Sequence, residues 1–327
     1  MNQIIKEFPT LLLREYWEHK RAILWVPAGF SILISLLVLM ISFGVFDIRS
    51  DIEFSDLVQM ARSVEEASVD GSKTYSTQKL TVQLDGEDQV KALSILADRD
   101  RLINAGLHLS AMAFGMLAFF LGVSYLLASL HTDRKDRSIL FWKSLPFSES
   151  QSVASKLLMA ALIIPVVSFV FSIIVQLAVG IGVTYLYIGQ QESTVGLGVY
   201  LEMFFNVLLV HSFLILLVAL KLIPFFSWLI FCSAWSKGVP MLLSFLVPFC
   251  LYILERLVIG TNYIGRFFSS VVSYSGDGAL AALESGNIGV IVKDMLHYSP
   301  SQLVVGVIIS IAFIYGAIWL RNNKYEI

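Results

Sequence analysis

Six apolar stretches, at 23–46, 107–130, 157–188, 199–235, 239–259 and 302–320, alternate along this chain with polar segments. A bilayer's hydrocarbon core is about 30 Å thick and takes roughly 20 apolar residues in a helix, so each stretch is long enough to cross it. The third is longer than necessary and contains Pro165, and the fourth holds Lys221 and Pro224 near its middle. At 37 residues the fourth would reach about 55 Å as one helix. Two readings follow: a steep, kinked helix running past the membrane, or a span plus a partly immersed segment joined at Pro224.

The polar segments have patterns of their own. In the arm 1–22, Pro9 suits a first helical position. Leu12, Leu13, Tyr16 and Trp17 gather on one face, with Arg14 and Glu18 on the other, which predicts an interfacial helix in the headgroup plane. The alternative is a plain extension of the first span. Within 47–106, Ser55 or Asp56 caps a predicted short helix through Ala67, and "KLTVQLDG" (79–86) alternates like a strand ending in an Asp–Gly turn. From Glu87 to Asn104 the apolar residues return to helical spacing. A second segment, 260–299, mixes small and polar residues, and Ser299 and Pro300 read as the cap of the last span. The fold class expected is an all-α polytopic membrane protein. It has six transmembrane helices, an amino-terminal interfacial helix and a small α/β external segment.

Composition agrees. The chain is 57% hydrophobic and 15% charged, with a mean hydropathy of +0.76, against about 45–50% and about 25% in soluble domains. A net charge of −2 gives no basic field for nucleic acid. Cys232 and Cys250 both fall in apolar runs and read as buried small hydrophobes. The polar arm before the first apolar run argues for a retained span over a cleavable signal peptide.

Lys and Arg sort to one side. Lys6, Arg14, Lys20 and Arg21 precede the first span, and Arg134, Lys135, Arg137, Lys143 and Lys156 follow the second. Lys237 lies between the fourth and fifth spans, while Arg321 and Lys324 follow the sixth. The positive-inside rule makes this side cytoplasmic, with both termini inside. Residues 47–106, with seven Lys/Arg against twelve Asp/Glu, are then external. The compartment expected is the bacterial cytoplasmic (inner) membrane, and the whole of 1–327 reads as one membrane domain.

Motifs for chemistry are absent from the sequence. It contains no G-x-x-x-x-G-K-[ST] phosphate loop, no H-E-x-x-H, no G-x-S-x-G and no Cys/His ligand cluster. No catalytic or metal-binding residue is therefore assigned, and no cofactor is expected in this chain. Ionisable residues within spans are costly unless paired or hydrated. His211 and Lys221 on the fourth stretch are accordingly candidates for a polar conduit, against a reading in which Lys221 snorkels to an interface. Histidines 108 and 131, near the ends of the second span, read as interfacial residues, and Glu255 and Arg256 as markers of the outer headgroup level.

The loop 131–156 is the most informative segment. "DRKDRSILFWKSLPFSES" (133–150) sets four cations and three acids beside Ile139, Leu140, Phe141, Trp142 and the Leu145–Pro146 pair. Ser138 is placed to cap a short aromatic helix stopped by Pro146, and Ser148 to start a second helix leading into the third span. Aromatic residues on such a helix anchor either in the membrane interface or in a partner's groove, where anchors carry much of the binding energy.

This loop resembles a segment of the permease subunits of type-2 ABC exporters, whose pattern runs E-R-x-x-G-[ST]-[IL]…S-L-P-[VF]-S…K. The matching residues are Asp133, Arg134, Ser138, Ser144, Leu145, Pro146, Ser148 and Lys156, with Asp133 replacing the usual Glu and Arg137 standing where Gly is common. "LIPFFSWLIFCSAWSKGVPMLL" (222–243) is similar to a P-x-x-x-W-L-L-x-x-S-A-W run of related permeases, through Pro224, Trp228, Leu229, Ser233, Ala234 and Trp235. The six-span layout, the interfacial arm and the late external loop extend the likeness over most of the chain.

What the resemblance implies is one membrane half of an exporter. The loop would act as a coupling helix docking on a separate cytoplasmic ATPase, with Ile139–Trp142 and Leu145–Pro146 as anchors, the charges setting register, and Lys156 starting the arm to the spans. Partners would be that ATPase, holding ATP and Mg, a second permease subunit, identical or related, and membrane lipid. The competing readings are a non-transporting anchor or sensor with an external binding segment, and, lowest, a lipid-modifying enzyme.

Overall fold

The computed structural model describes residues 2–43, 86–136, 148–188, 193–266 and 300–323. Among the described residues every regular element is helical. The elements are α1 (Asn2–Lys20), α2 (Val26–Ser42), α3 (Gly86–Lys135), α4 (Glu149–Leu158), α5 (Ile164–Ile188), α6 (Ser193–Trp235), α7 (Pro240–Leu254) and α8 (Pro300–Asn323). Single π turns, Arg21–Trp25 and Met159–Ile163, join α1 to α2 and α4 to α5, and a third, Glu255–Ile259, follows α7.

Among the described residues, six helical runs are long and apolar enough to cross a membrane: Phe8–Ser42, Gly106–Lys135, Glu149–Gly182, Tyr200–Trp235, Pro240–Ile259 and Val304–Asn323. Each overlaps one stretch read from the sequence, and the chain is a multi-pass, helical membrane protein. The strand expected over 79–86 and the short helix expected through Ala67 fall on residues outside those described, and Gly86 opens α3. The helical spacing from Glu87 to Asn104 is realised as the first part of α3, continuous with the second span. That helix of 50 residues is about 75 Å long.

The fourth stretch is one helix. Pro224 lies inside α6 without breaking it, and its ring faces α8, where a Cβ on Gly306 would lie 3.2 Å from Pro224 Cγ. Pro165 is absorbed differently. The π turn before it bonds the Ile164 N–H to the Met159 carbonyl, so the helix has already changed its ladder where proline supplies no donor. The π turn Arg21–Trp25 stands in the same relation to Pro27.

Packing orders the bundle. α6 contacts α3 and α8 most extensively, and α5 lies against α2, α3 and α6. One core, toward the end holding Lys135 and Glu149, gathers Leu126, Leu130, Val153, Met159, Leu229 and Ile230. A second, toward the other end, gathers Leu107, Ala111, Tyr200, Phe204 and Val207. Outward faces remain apolar, as at Leu33 and Leu37 on α2, Phe249 on α7 and Ile308 and Ile311 on α8. Helices satisfy their own backbone groups, so such faces suit hydrocarbon.

The arm follows the alternative of a plain extension of the first span. It runs into the first span with no break beyond the π turn. Its buried face holds Leu11 and Glu15, and Leu13 and Trp17, of the apolar face read from the sequence, are 57% and 61% exposed on the outward side. A carboxylate turned inward reflects partners elsewhere in the chain, described below.

Close helix approach depends on small residues. A Cβ on Gly180 of α5 would lie 2.6 Å from the Tyr200 ring of α6, whereas one on Gly198 would meet nothing within 4 Å. Overpacking a tight contact typically costs about 1–3 kcal/mol, while Gly to Ala in an open helical site gains about 0.5–1 kcal/mol. Gly180→Ala is thus expected to lower, and Gly198→Ala to hold or raise, the unfolding temperature of detergent-solubilised protein followed by fluorescence.

Candidate functional site

The flanks of the charged loop are built for fixed positions. α3 finishes with Asp133, Arg134 and Lys135. Two cations there suit a helix carboxyl end, but Asp133 opposes the helix dipole and needs its own partners. α4 starts at Ser148, as its sequence suggests. The Ser148 hydroxyl accepts from the Gln151 N–H at 3.3 Å and the Gln151 side chain accepts from the Ser148 N–H at 2.9 Å, a reciprocal cap. Glu149 sits in the first turn, where negative charge is favourable.

These flanks meet in a buried chain of ion pairs. Lys156 Nζ lies 3.1 Å from Glu15 Oε1 and 3.5 Å from Asp133 Oδ2. Arg321 of α8 reaches the same Asp133 oxygen at 3.2 Å and, through Nε, Glu149 Oε2 at 2.6 Å. Arg14 pairs with Glu15, and the Tyr125 hydroxyl donates to Glu15 Oε2 at 2.7 Å. Three carboxylates thus alternate with three cations, in the order Arg14, Glu15, Lys156, Asp133, Arg321, Glu149. Four helices, α1, α3, α4 and α8, are tied at one end of the bundle. The side chains of Glu15 and Lys156 are 0% and 1% exposed, so each ion depends on its neighbours for the solvation that water no longer supplies.

Arg134 makes a second tie. Its guanidinium donates to the Ser233 carbonyl at 2.8 Å and the Ser236 carbonyl at 2.6 Å, at the carboxyl end of α6, where helix carbonyls lack intrahelical partners. The buried Ser233 hydroxyl donates to the Leu127 carbonyl at 2.7 Å and accepts from the Leu130 and His131 N–H groups at 3.2 and 3.1 Å. Trp228 Nε1 donates to the Ser244 carbonyl at 3.0 Å, linking α6 to α7. The Asp–Arg pair of one motif and the Ser of the other are therefore neighbours in space.

Of the loop residues assigned from sequence, Asp133, Arg134 and Lys156 enter these networks and Ser148 caps α4. Arg137, Ile139, Leu140, Phe141, Trp142, Ser144, Leu145 and Pro146 lie outside the described residues. Sequence reasoning missed Glu15, Tyr125 and Glu149 as partners, and treated Arg321 as one more positive charge. The available signal was an acid on an otherwise basic arm, matched by lysine and arginine at the ends of other spans. Glu15, Glu18 and His19 bring ligating atoms within 4.8 Å of one another, but both Glu15 oxygens are already engaged by cations and Tyr125.

The conduit residues separate. His211 is buried against His108 of α3, ring centroids 5.3 Å apart. Lys221, ten residues further along α6, is half-buried and about 15 Å away by helical rise. His108, read as an interfacial residue, is buried among helices two residues into the crossing run that begins at Gly106. Glu255 is likewise buried, accepting from Thr261 Oγ1 and the Ile264 N–H, both at 2.8 Å, and from the Tyr263 N–H. Its adjacent Gly260, at φ 72°, supplies the left-handed turn that brings those donors back. Arg256 is exposed.

Removing one member of a buried ion pair typically costs about 3–5 kcal/mol, because the other is left uncompensated, whereas replacing both is far milder. Lys156→Met alone is expected to lower the thermal unfolding midpoint in detergent sharply. Lys156→Met combined with Glu15→Gln is expected to recover a large part of that loss, and an additive double variant would show that the pair is not coupled.

No family model, curated protein or solved structure matches this chain.

Proposed function

We propose that the chain is the membrane-spanning permease subunit of an ATP-binding cassette exporter, driven by a separate cytoplasmic ATPase docked on the loop between α3 and α4. The observation that carries this reading is the anchoring of both loop roots. A loop that transmits force between two proteins needs roots that do not yield. Here Asp133 and Arg134 on one side and Glu149 and Lys156 on the other are locked to α1, α6 and α8 by buried ion pairs and helix-end hydrogen bonds. The two sequence motifs that resemble permeases meet at this point through Arg134 and Ser233. The Lys/Arg bias assigns the same end to the cytoplasm, where nucleotide is available.

In this mechanism the chain binds no nucleotide itself, in keeping with a sequence that lacks a phosphate loop. ATP and Mg sit on the partner, and closure of two ATPases drives two permease subunits, identical or related, to rock against each other. Trp142 and Leu145 anchor the loop in the ATPase cleft, and the ion-pair chain spreads the push over four helices.

One observation favours a second reading, a membrane sensor. α3 runs unbroken from Gly86 to Lys135, so a binding event near residue 86 has a stiff rod leading to the opposite end.

The two readings separate by co-purification of the tagged chain in detergent. A nucleotide-hydrolysing subunit is expected to co-elute in stoichiometric amount. Trp142→Ala or Leu145→Ala is expected to weaken that association by about 2 kcal/mol, some thirtyfold in affinity. A chain that acts without any such companion belongs to the second class.

A further inference from the structure

The outward face of α1 gathers exposed cations and indoles where the first span enters the bilayer. From Ile23 to Ser42 the helix is about 30 Å long, which matches the hydrocarbon core. Lys20 and Arg21 therefore stand at the level of the lipid phosphates. At 100° per residue, Leu13, Trp17, Lys20 and Arg21 share one sector about 100° wide, turned away from buried Leu11 and Glu15. Trp25 follows Arg21 by one turn and is 72% exposed. Exposed indoles elsewhere mark the same boundary. Trp235 lies two residues past Ser233, which is bonded to α3, and Trp319 lies two before Arg321; both are about half exposed.

The cations of this face differ from those of the buried chain. Arg14, Lys156 and Arg321 each meet a carboxylate. Lys20 and Arg21 are exposed and pair with no acid among the described residues. Lys20 Nζ lies 4.9 Å from the centroid of the Trp17 ring, within cation–π range, so the indole steadies the ammonium at the surface. Glu18 is the exposed acid among the described side chains of the arm, and it lies on the far flank of the helix from Lys20. The ammonium offers three donors and the guanidinium a planar fork that takes a phosphate through two bonds. Lipid already surrounds the helix at this level. A zwitterionic headgroup carries its own ammonium, which competes for the phosphate, whereas an acidic one brings the net negative charge that two adjacent cations attract.

We propose that Trp17, Lys20, Arg21 and Trp25 form a binding site for the headgroup of an acidic phospholipid. The phosphate sits against the two cations, and the indoles pack against the headgroup and the upper acyl chain. This inference rests on the arm's own geometry and not on the permease reading, and it survives if no ATPase partner is found.

The test uses the full chain in phosphatidylcholine bilayers that contain a trace of acyl-chain spin-labelled phosphatidylglycerol or spin-labelled phosphatidylcholine. Electron paramagnetic resonance reads the fraction of each label whose motion the protein restricts. A larger restricted fraction is expected for phosphatidylglycerol. Lys20→Gln with Arg21→Gln is expected to lower the association constant of the preferred lipid about fivefold for each charge removed, the equivalent of about 1 kcal/mol. Lys20→Arg with Arg21→Lys keeps both charges and is expected to keep the preference, which separates lost charge from lost folding. Equal restriction of the two lipids by the unsubstituted chain, or a preference unchanged in the glutamine variant, would overturn the proposal. A disulfide between two chains carrying Trp17→Cys, absent from the unsubstituted chain, would place a second copy on this face and overturn it too.

Discussion

Burying Lys156 obliges the rest of this bundle's charged end to form as it does. An ammonium 1% exposed has lost its hydration, and only close carboxylates compensate. Glu15 and Asp133 supply them from α1 and α3. Asp133 in turn needs Arg321, and Arg321 takes Glu149 as its second partner. The demand passes from ion to ion until it reaches side chains at the rim. Four helices are thereby fixed in register at one level, something apolar packing alone specifies weakly between helices in lipid.

The two ends of the membrane-crossing part of α3, Gly106–Lys135, use polarity in different ways. Around Asp133 carboxylates and cations alternate in a chain of ion pairs, and the result is a closed joint. Around His108 the contact is between two buried imidazole rings, 5.3 Å apart. Between them lies the largely aliphatic core of Leu126, Leu130, Met159 and Leu229. A stiff helix spanning both makes them mechanically related while keeping them chemically separate.

Much of the architecture is legible because it depends on local facts. Apolar length fixes the six crossings, the serine at 148 with glutamine three residues later fixes the start of α4, and basic residues gather at helix ends near Lys135 and Arg321. The misses share one physical origin. Glu15 and Lys156 are 141 residues apart in sequence, and Asp133 and Arg321 are 188 apart, so no window of sequence contains a pair. The arm shows the consequence: its local pattern marks Leu12, Leu13, Tyr16 and Trp17 as a membrane-interface face, but nothing local marks Glu15 as the residue that distant cations draw inward. His108 and His211 became partners only through the register of α3 on α6.

The π turn at Met159–Ile163 accommodates an extra residue between the loop-bearing α4 and the membrane-crossing α5. A turn that takes up one residue keeps the faces on its two sides in phase, as in an unbroken α-helix with one residue fewer. Lys156 and Glu149 therefore stay aligned with Asp133 and Arg321. One further residue that no second bulge absorbed would turn α4 by about 100° and open the ion-pair chain.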